Sequence, residues 1–189
     1  MGRWITKGGK HIYLPDEDES TSTTSKHSGD TITRQMALDS WAKNASGIKA
    51  ASKGEKYDGN LFGKVALNDE AKAEQIINFV NGSKVNDTIY RGIENLDEDT
   101  YKQYTTIGSE VDEKGLSSWS LNKGTASGSG RIGRGITFIK EGSTENARKL
   151  GNRTGTGIEN EVIVYNHKAK VVKVEKDKYT TWVWLKKGN

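Results

Sequence analysis

Gly157-Ile158-Glu159-Asn160-Glu161-Val162-Ile163-Val164 joins a glycine-rich loop to an apolar, β-branched run and sets two carboxylates two residues apart at the junction. Side chains alternate across a strand, so Glu159 and Glu161 project from one face into a common site. Glu17-Asp18-Glu19 has the same spacing but lies in a solvated acidic run, so setting rather than spacing gives the later pair its meaning.

Working outward, further β-branched and aromatic clusters stand at Thr88-Ile89-Tyr90, Leu116 to Leu121, Ile136 to Ile139, Val171 to Val174 and Tyr179 to Leu185, separated by Gly, Asn and Lys-rich turns. Short helical stretches are expected between them near Asp97 to Tyr104 and Thr144 to Leu150. Before Gly82 the texture is different. Ile32, Met36, Leu38, Trp41, Ala42, Ala45 and Ile48 recur at helical spacing, which predicts one helix over 31–53 or two separated near Gly47. A second helix is predicted over 71–80, opened by Asn68-Asp69-Glu70 and closed by Asn81-Gly82. Helices and strands are segregated instead of alternating, so the fold class is α+β with a largely antiparallel sheet system.

Residues 15–30 carry an acidic run and a Ser/Thr run with almost nothing apolar, and read as a linker or disordered segment. That divides the chain into an N-terminal segment, 1–30, and one catalytic domain, 31–189. At 189 residues one core is the default. With no cysteine, disulfides, thiolate zinc sites and cysteine nucleophiles are excluded, and the three histidines are too far apart for a His-based metal site, so no metal is expected. No run of eighteen apolar residues is present, and the opening segment lacks the apolar stretch of a secretory signal. The net charge of +4 comes from bases interleaved with acids, which gives no concentrated footprint for nucleic acid.

Three commoner motifs fail. Gly128-Ser129-Gly130-Arg131-Ile132-Gly133 has the spacing of a dinucleotide-binding turn, but that turn must follow a strand and open a helix, whereas a strand is predicted after this one. The segment reads as a mobile loop. No nucleophile elbow and no phosphate-binding Walker loop occurs.

Three pieces remain, in chain order. Thr88-Ile89-Tyr90-Arg91-Gly92 ends an apolar strand with a permanently charged, forked donor able to hold a phosphate or carboxylate. Lys114-Gly115-Leu116-Ser117-Ser118-Trp119-Ser120-Leu121 places Ser118 and Ser120 on one strand face and Trp119 on the other. The Glu159/Glu161 pair completes the set. Together these pieces resemble the arginine, Ser-Thr-Ser and Glu-x-Glu motifs of the mono-ADP-ribosyltransferases, in the branch that includes arginine-modifying toxins and phage enzymes. The resemblance covers roughly residues 31 to 187, with Trp119 in place of the usual central Thr, a change in the outward-facing residue that bears on specificity. Arg3-Trp4-Ile5-Thr6 with Lys10-His11-Ile12 resembles, more weakly, short segments of phage minor-head proteins.

The resemblance implies a core of two packed, mainly antiparallel sheets with N-terminal helices, and an enzyme that cleaves NAD and transfers ADP-ribose to a protein acceptor, arginine by the Glu-x-Glu match. It implies that Glu161 is the catalytic glutamate and Glu159 the upstream acid that holds the acceptor guanidinium. Ser118 would orient Glu161, Arg91 would grip the NAD phosphates, and Gly92 would offer backbone groups to the nicotinamide amide. Ser120 joins the NAD-binding set, as does Arg134, which resembles a second NAD-contacting arginine. The loop from Leu150 to Ile158 would meet the target protein. A NAD glycohydrolase, with water as acceptor, and a non-catalytic virion module of the same fold stay open as alternatives.

Overall fold

The computed structural model describes residues 21–151 and 160–188, together with the backbone of strands β1 (Arg3–Lys7) and β2 (Lys10–Leu14). The chain forms two compact units, Met1–Phe79 and Val80–Asn189.

In the first unit β1 and β2 form an antiparallel hairpin with Ile5 opposite Ile12. A second hairpin pairs β3 (Ser22–Thr24) with β4 (Thr31–Thr33), so part of the stretch whose composition reads as linker is a strand and turn. Polar side chains make this possible: the Gln75 amide donates to Thr23 Oγ1 at 2.6 Å, tying the hairpin to the helix that starts at Asp69. Helix α1 (Arg34–Lys43) is capped by Thr33, whose hydroxyl accepts from the Met36 amide at 3.2 Å. Helix α2 (Ser46–Ser52) follows a break at Asn44-Ala45, and Gly47 lies inside the helix. The sequence places that break at Gly47; the real reason for glycine there is the approach of Asp69, whose Oδ2 would lie 2.0 Å from a Cβ. Helix α3 (Asp69–Val80) opens on Asp69 and Glu70, charges that suit a helix N-terminus. Leu38, Trp41, Ile48 and Ile76 are buried.

The second unit contains β5 (Lys84–Val85), β6 (Ile89–Ile93), α4 (Glu98–Tyr104), β7 (Glu110–Ser120), α5 (Lys123–Gly130), β8 (Ile136–Lys140), β9 (Thr144–Glu145), β10 (Ala147–Lys149), β11 (Glu161–Lys176) and β12 (Thr181–Lys187). Six of the strands run in the order β10-β11-β12-β8-β6-β7, and β7 also pairs with β11. All these pairings are antiparallel except β12 with β8. The two apolar clusters at Val162 and Val171 belong to one bent strand. Asn166 takes φ 51° and Gly115 takes φ 75°, and the Asn166 side chain accepts from the Gly115 amide at 2.7 Å, so a local irregularity on both strands turns the ladder. Before the bend β11 pairs with β10, Val164 opposite Ala147; after it β11 pairs with β12, Ala169 opposite Lys187. One strand thus serves two packed layers, and Ile89, Trp119, Phe138, Val162, Val164 and Val183 fill the core between them. Each such side chain contributes about 1.5–3 kcal/mol on burial. This is the α+β architecture of packed, mainly antiparallel sheets with N-terminal helices that the sequence implies.

Two local expectations are overturned. Residues 144–149 are short strands, not a helix: β9 pairs with β5 and β10 with β11, and Asn146, at φ 49°, turns the chain between them. The segment Gly128–Gly133, read as a mobile loop, is in part the last turn of α5. Its glycines disfavour a helix in isolation, but Gly130 is needed for close packing: a Cβ there would lie 2.2 Å from Thr137 Oγ1.

Candidate active site

Arg91 sits in the middle of β6, opposite the buried Phe138 of β8. Its guanidinium turns toward β7. Nε donates to Glu113 Oε1 at 2.8 Å and Nη1 donates to the Ser118 carbonyl at 2.9 Å. Both partners hold the fork at one orientation, and Nη2 is left available, among the described residues, for a further acceptor. The Arg91–Glu113 pair is largely buried, so its charges interact through protein more than through water.

Glu161 begins β11 directly opposite Ser120 of β7, with Ser118 opposite Ile163. The Ser118 hydroxyl reaches diagonally across the ladder and donates to the Glu161 carboxylate. The result is one connected series, Glu113, Arg91, Ser118 and Glu161, running from β7 through β6 and back across β7 to β11. A fixed cation and a fixed carboxylate therefore share one short stretch of sheet surface. The Glu161 end lies where β7 stops, since the Leu121 amide donates to the Asn160 carbonyl at 2.7 Å.

Gly92 occupies a tight passage. A Cβ there would lie 1.8 Å from the Ala126 carbonyl oxygen and 2.8 Å from the Gly130 amide, so glycine is what lets α5 lie against β6. Ser120 Oγ accepts from the Asn122 amide at 2.9 Å and so anchors the turn into α5. Arg134 stands apart from the Arg91 series, donating from Nη1 to the Leu96 carbonyl at 3.1 Å. Glu159 and the Leu150 to Ile158 loop beyond Gly151 lie outside the described residues.

Trp119 corrects the sequence reading. It does lie on the opposite face from Ser118 and Ser120, but that face is the core: the indole is 2% exposed, stacks 6.2 Å from Phe138 and donates to Ser117 Oγ at 3.0 Å. The residue at this position acts on packing, not on an outward surface. Nothing in the sequence singles out Glu113 as the partner of Arg91. It lies in Val111-Asp112-Glu113-Lys114-Gly115, where Gly115 reads as a strand boundary when it is in fact the irregularity inside one long strand. Among the described residues no group of three or more His, Asp or Glu could hold a metal ion.

The arrangement of these strands and helices matches the fold of solved ADP-ribosyltransferase structures. No family model and no curated protein sequence matches the chain. Among solved structures, the Vis toxin, an ADP-ribosyltransferase from Vibrio splendidus, matches with a TM-score of 0.59 at 14% identity, over 82% of this chain and 73% of the toxin chain. C3stau2 from S. aureus, solved with NAD, gives 0.56 at 17% identity, over 86% of this chain and 88% of its own. Exoenzyme S from Pseudomonas aeruginosa, in complex with human 14-3-3 protein beta and bound to carba-NAD, gives 0.54 at 16% identity, over 80% and 72%. At such identities what is shared is the fold.

Proposed function

We propose that the chain cleaves NAD at the nicotinamide–ribose bond and transfers ADP-ribose to a protein acceptor, an arginine side chain. The observation that carries this reading is the connected series Arg91, Ser118 and Glu161, assembled from three strands of a fold that exoenzyme S and C3stau2 use with carba-NAD and NAD bound.

The C–N bond breaks with its electron pair leaving on nicotinamide, which departs as a neutral ring, so no general acid is needed. Positive charge builds on the ribose, as in glycoside hydrolysis. A carboxylate fixed beside that carbon gains attraction as the charge grows and so accelerates the step instead of merely binding substrate. Glu161 has that role, and the Ser118 hydroxyl keeps its carboxylate aimed. Arg91, held by Glu113 and the Ser118 carbonyl, presents its remaining N–H groups to the NAD phosphates. Gly92 and Ser120 line the same region. Arg134 belongs to the NAD-binding set only if the dinucleotide reaches the β6–α4 connection near Leu96. Glu159 accepts the proton of the acceptor guanidinium, a poor nucleophile while charged, and the resulting nitrogen forms the new bond to the ribose carbon.

The test is incubation with NAD labelled in its adenosine part, with and without an arginine-rich protein. Label on the protein together with free nicotinamide supports transfer. Nicotinamide with no protein label makes the enzyme a NAD glycohydrolase, and neither product removes the catalytic reading.

A further inference from the structure

A cleft of about 310 Å³ is walled by Lys140 at the end of β8, Thr144 and Glu145 of β9, Asn166 and His167 at the bend of β11, and Lys187 of β12, together with neighbouring residues. Arg91, Ser118, Ser120 and Glu161 are not part of its wall. Lys140 enters it from the end of β8 and is only 4% exposed. Two of its ammonium protons go to the carbonyls of Glu141 and Ser143, at 3.0 and 2.9 Å. Those neutral acceptors leave its third proton and its whole charge without a carboxylate among the described residues.

The other charges around the cleft are already matched, Lys187 to Glu145 at 2.9 Å and Lys168 to Glu110 at 3.4 Å. One buried positive charge is therefore in excess. Next to it, Thr144 Oγ1 and both ring nitrogens of His167 are buried with no hydrogen-bond partner among the described residues. Buried polar groups are normally satisfied, and a buried cation normally has a counter-charge. The wall of the cleft thus holds an ammonium charge with no counter-charge, and with it a buried hydroxyl and a buried imidazole that have no partner among the described residues.

We propose that this cleft is a second ligand site, for a carboxylate. A single negative charge neutralises Lys140, and carboxylate oxygens accept from an ammonium, a hydroxyl or an imidazole N–H alike. Phosphate fits less well, because near neutrality it carries between one and two charges and would meet Glu110 and Glu145, which also line the cleft. The carboxylate comes either from a small free acid or from the C-terminus of a peptide.

The whole chain is titrated at constant ionic strength with sodium acetate, sodium phosphate or sodium chloride while the side-chain NMR signals of His167 and Lys140 are followed. Two further arms use a blocked tripeptide with a free C-terminal carboxylate and its C-terminal amide. Saturable shifts with acetate, several-fold weaker with phosphate and absent with chloride, support the site. Tighter binding of the tripeptide acid than of acetate, lost in the amide, assigns it to a peptide terminus, and equal binding assigns it to a free acid. Lys140→Met should abolish the response and Thr144→Val should weaken it several-fold, with NAD cleavage retained. Thr144→Val decides the matter should the methionine variant not fold. Equal responses to all three salts, no saturation, or full acetate binding in the folded variants overturns the proposal.

Discussion

A carboxylate at position 161 gains its effect from where its charge sits, which separates shape from chemistry in a single substitution. Glu161→Gln keeps the size and the Ser118 contact but removes the charge that would meet the developing ribose cation. On the proposed mechanism nicotinamide release falls by ~100-fold or more, in line with the loss of one electrostatic stabiliser, while NAD affinity changes little. Full activity in the glutamine variant would remove Glu161 from the chemistry. Glu113 makes a subtler case because it touches Arg91 and not the site of bond cleavage. Glu113→Gln retains one acceptor for Arg91 Nε but leaves the guanidinium without its charge partner. A rise in KM of about 10-fold with kcat nearly kept would correspond to roughly 1.4 kcal/mol of positioning. A fall confined to kcat would contradict that role. That Arg91, Ser118 and Glu161 come together in space was legible in the sequence, because their order and strand settings are restrictive. The part of Glu113 was not, since an acid among acids reveals its partner only when the chain is folded, and the side to which Trp119 points as packing likewise depends on Phe138, distant in sequence.

Among the elements, α5 was the hardest to foresee. Lys123-Gly124-Thr125-Ala126-Ser127-Gly128-Ser129-Gly130 has three glycines, and its helical state is decided by Asn122, which accepts from the Thr125 amide at 2.9 Å, and by the strands beneath it. The same close packing makes Gly92 a sharp probe. Gly92→Ala puts a methyl group 1.8 Å from the Ala126 carbonyl, and both obstructing groups are backbone, so α5 must shift away from β6. A loss of about 3 kcal/mol in urea unfolding is expected, as for an overpacked core, together with reduced NAD cleavage because the neighbouring Arg91 moves. Unchanged stability would mean that the helix is free to move aside. The short strands β9 and β10 went unseen for a related reason: their pairing with β5 and β11 is non-local, and two or three residues carry no period. Strands β8 and β12 and the start of β11, by contrast, show their β-branched and aromatic runs directly.

For the molecule as a whole, stability against acid is set in part by one group that takes no part in the proposed chemistry. His167 is 4% exposed and lies 4.7 Å from the Trp119 ring. Burial, with Lys140 and Arg91 nearby, holds its pKa down from 6.5 to about 4. The unfolded chain therefore takes up a proton that the folded chain refuses in this interval, and stability must rise with pH through it. The contribution is complete above about pH 6.5 and lost progressively toward pH 4, by about 3 kcal/mol if the imidazole stays unpaired. Glu113, its cross-strand neighbour, is committed to Arg91 and does not reverse that sign. Urea unfolding at pH 7 and pH 4.5, in buffers free of acetate and citrate, measures the effect, with His167→Leu as the reference that keeps volume and removes the titration. The wild-type chain should lose more stability between those two pH values than the leucine variant does, since the carboxylates are the same in both. An identical loss in the two proteins would show that the imidazole opens to solvent before it is protonated, and the core around Trp119 would then be looser than its packing indicates.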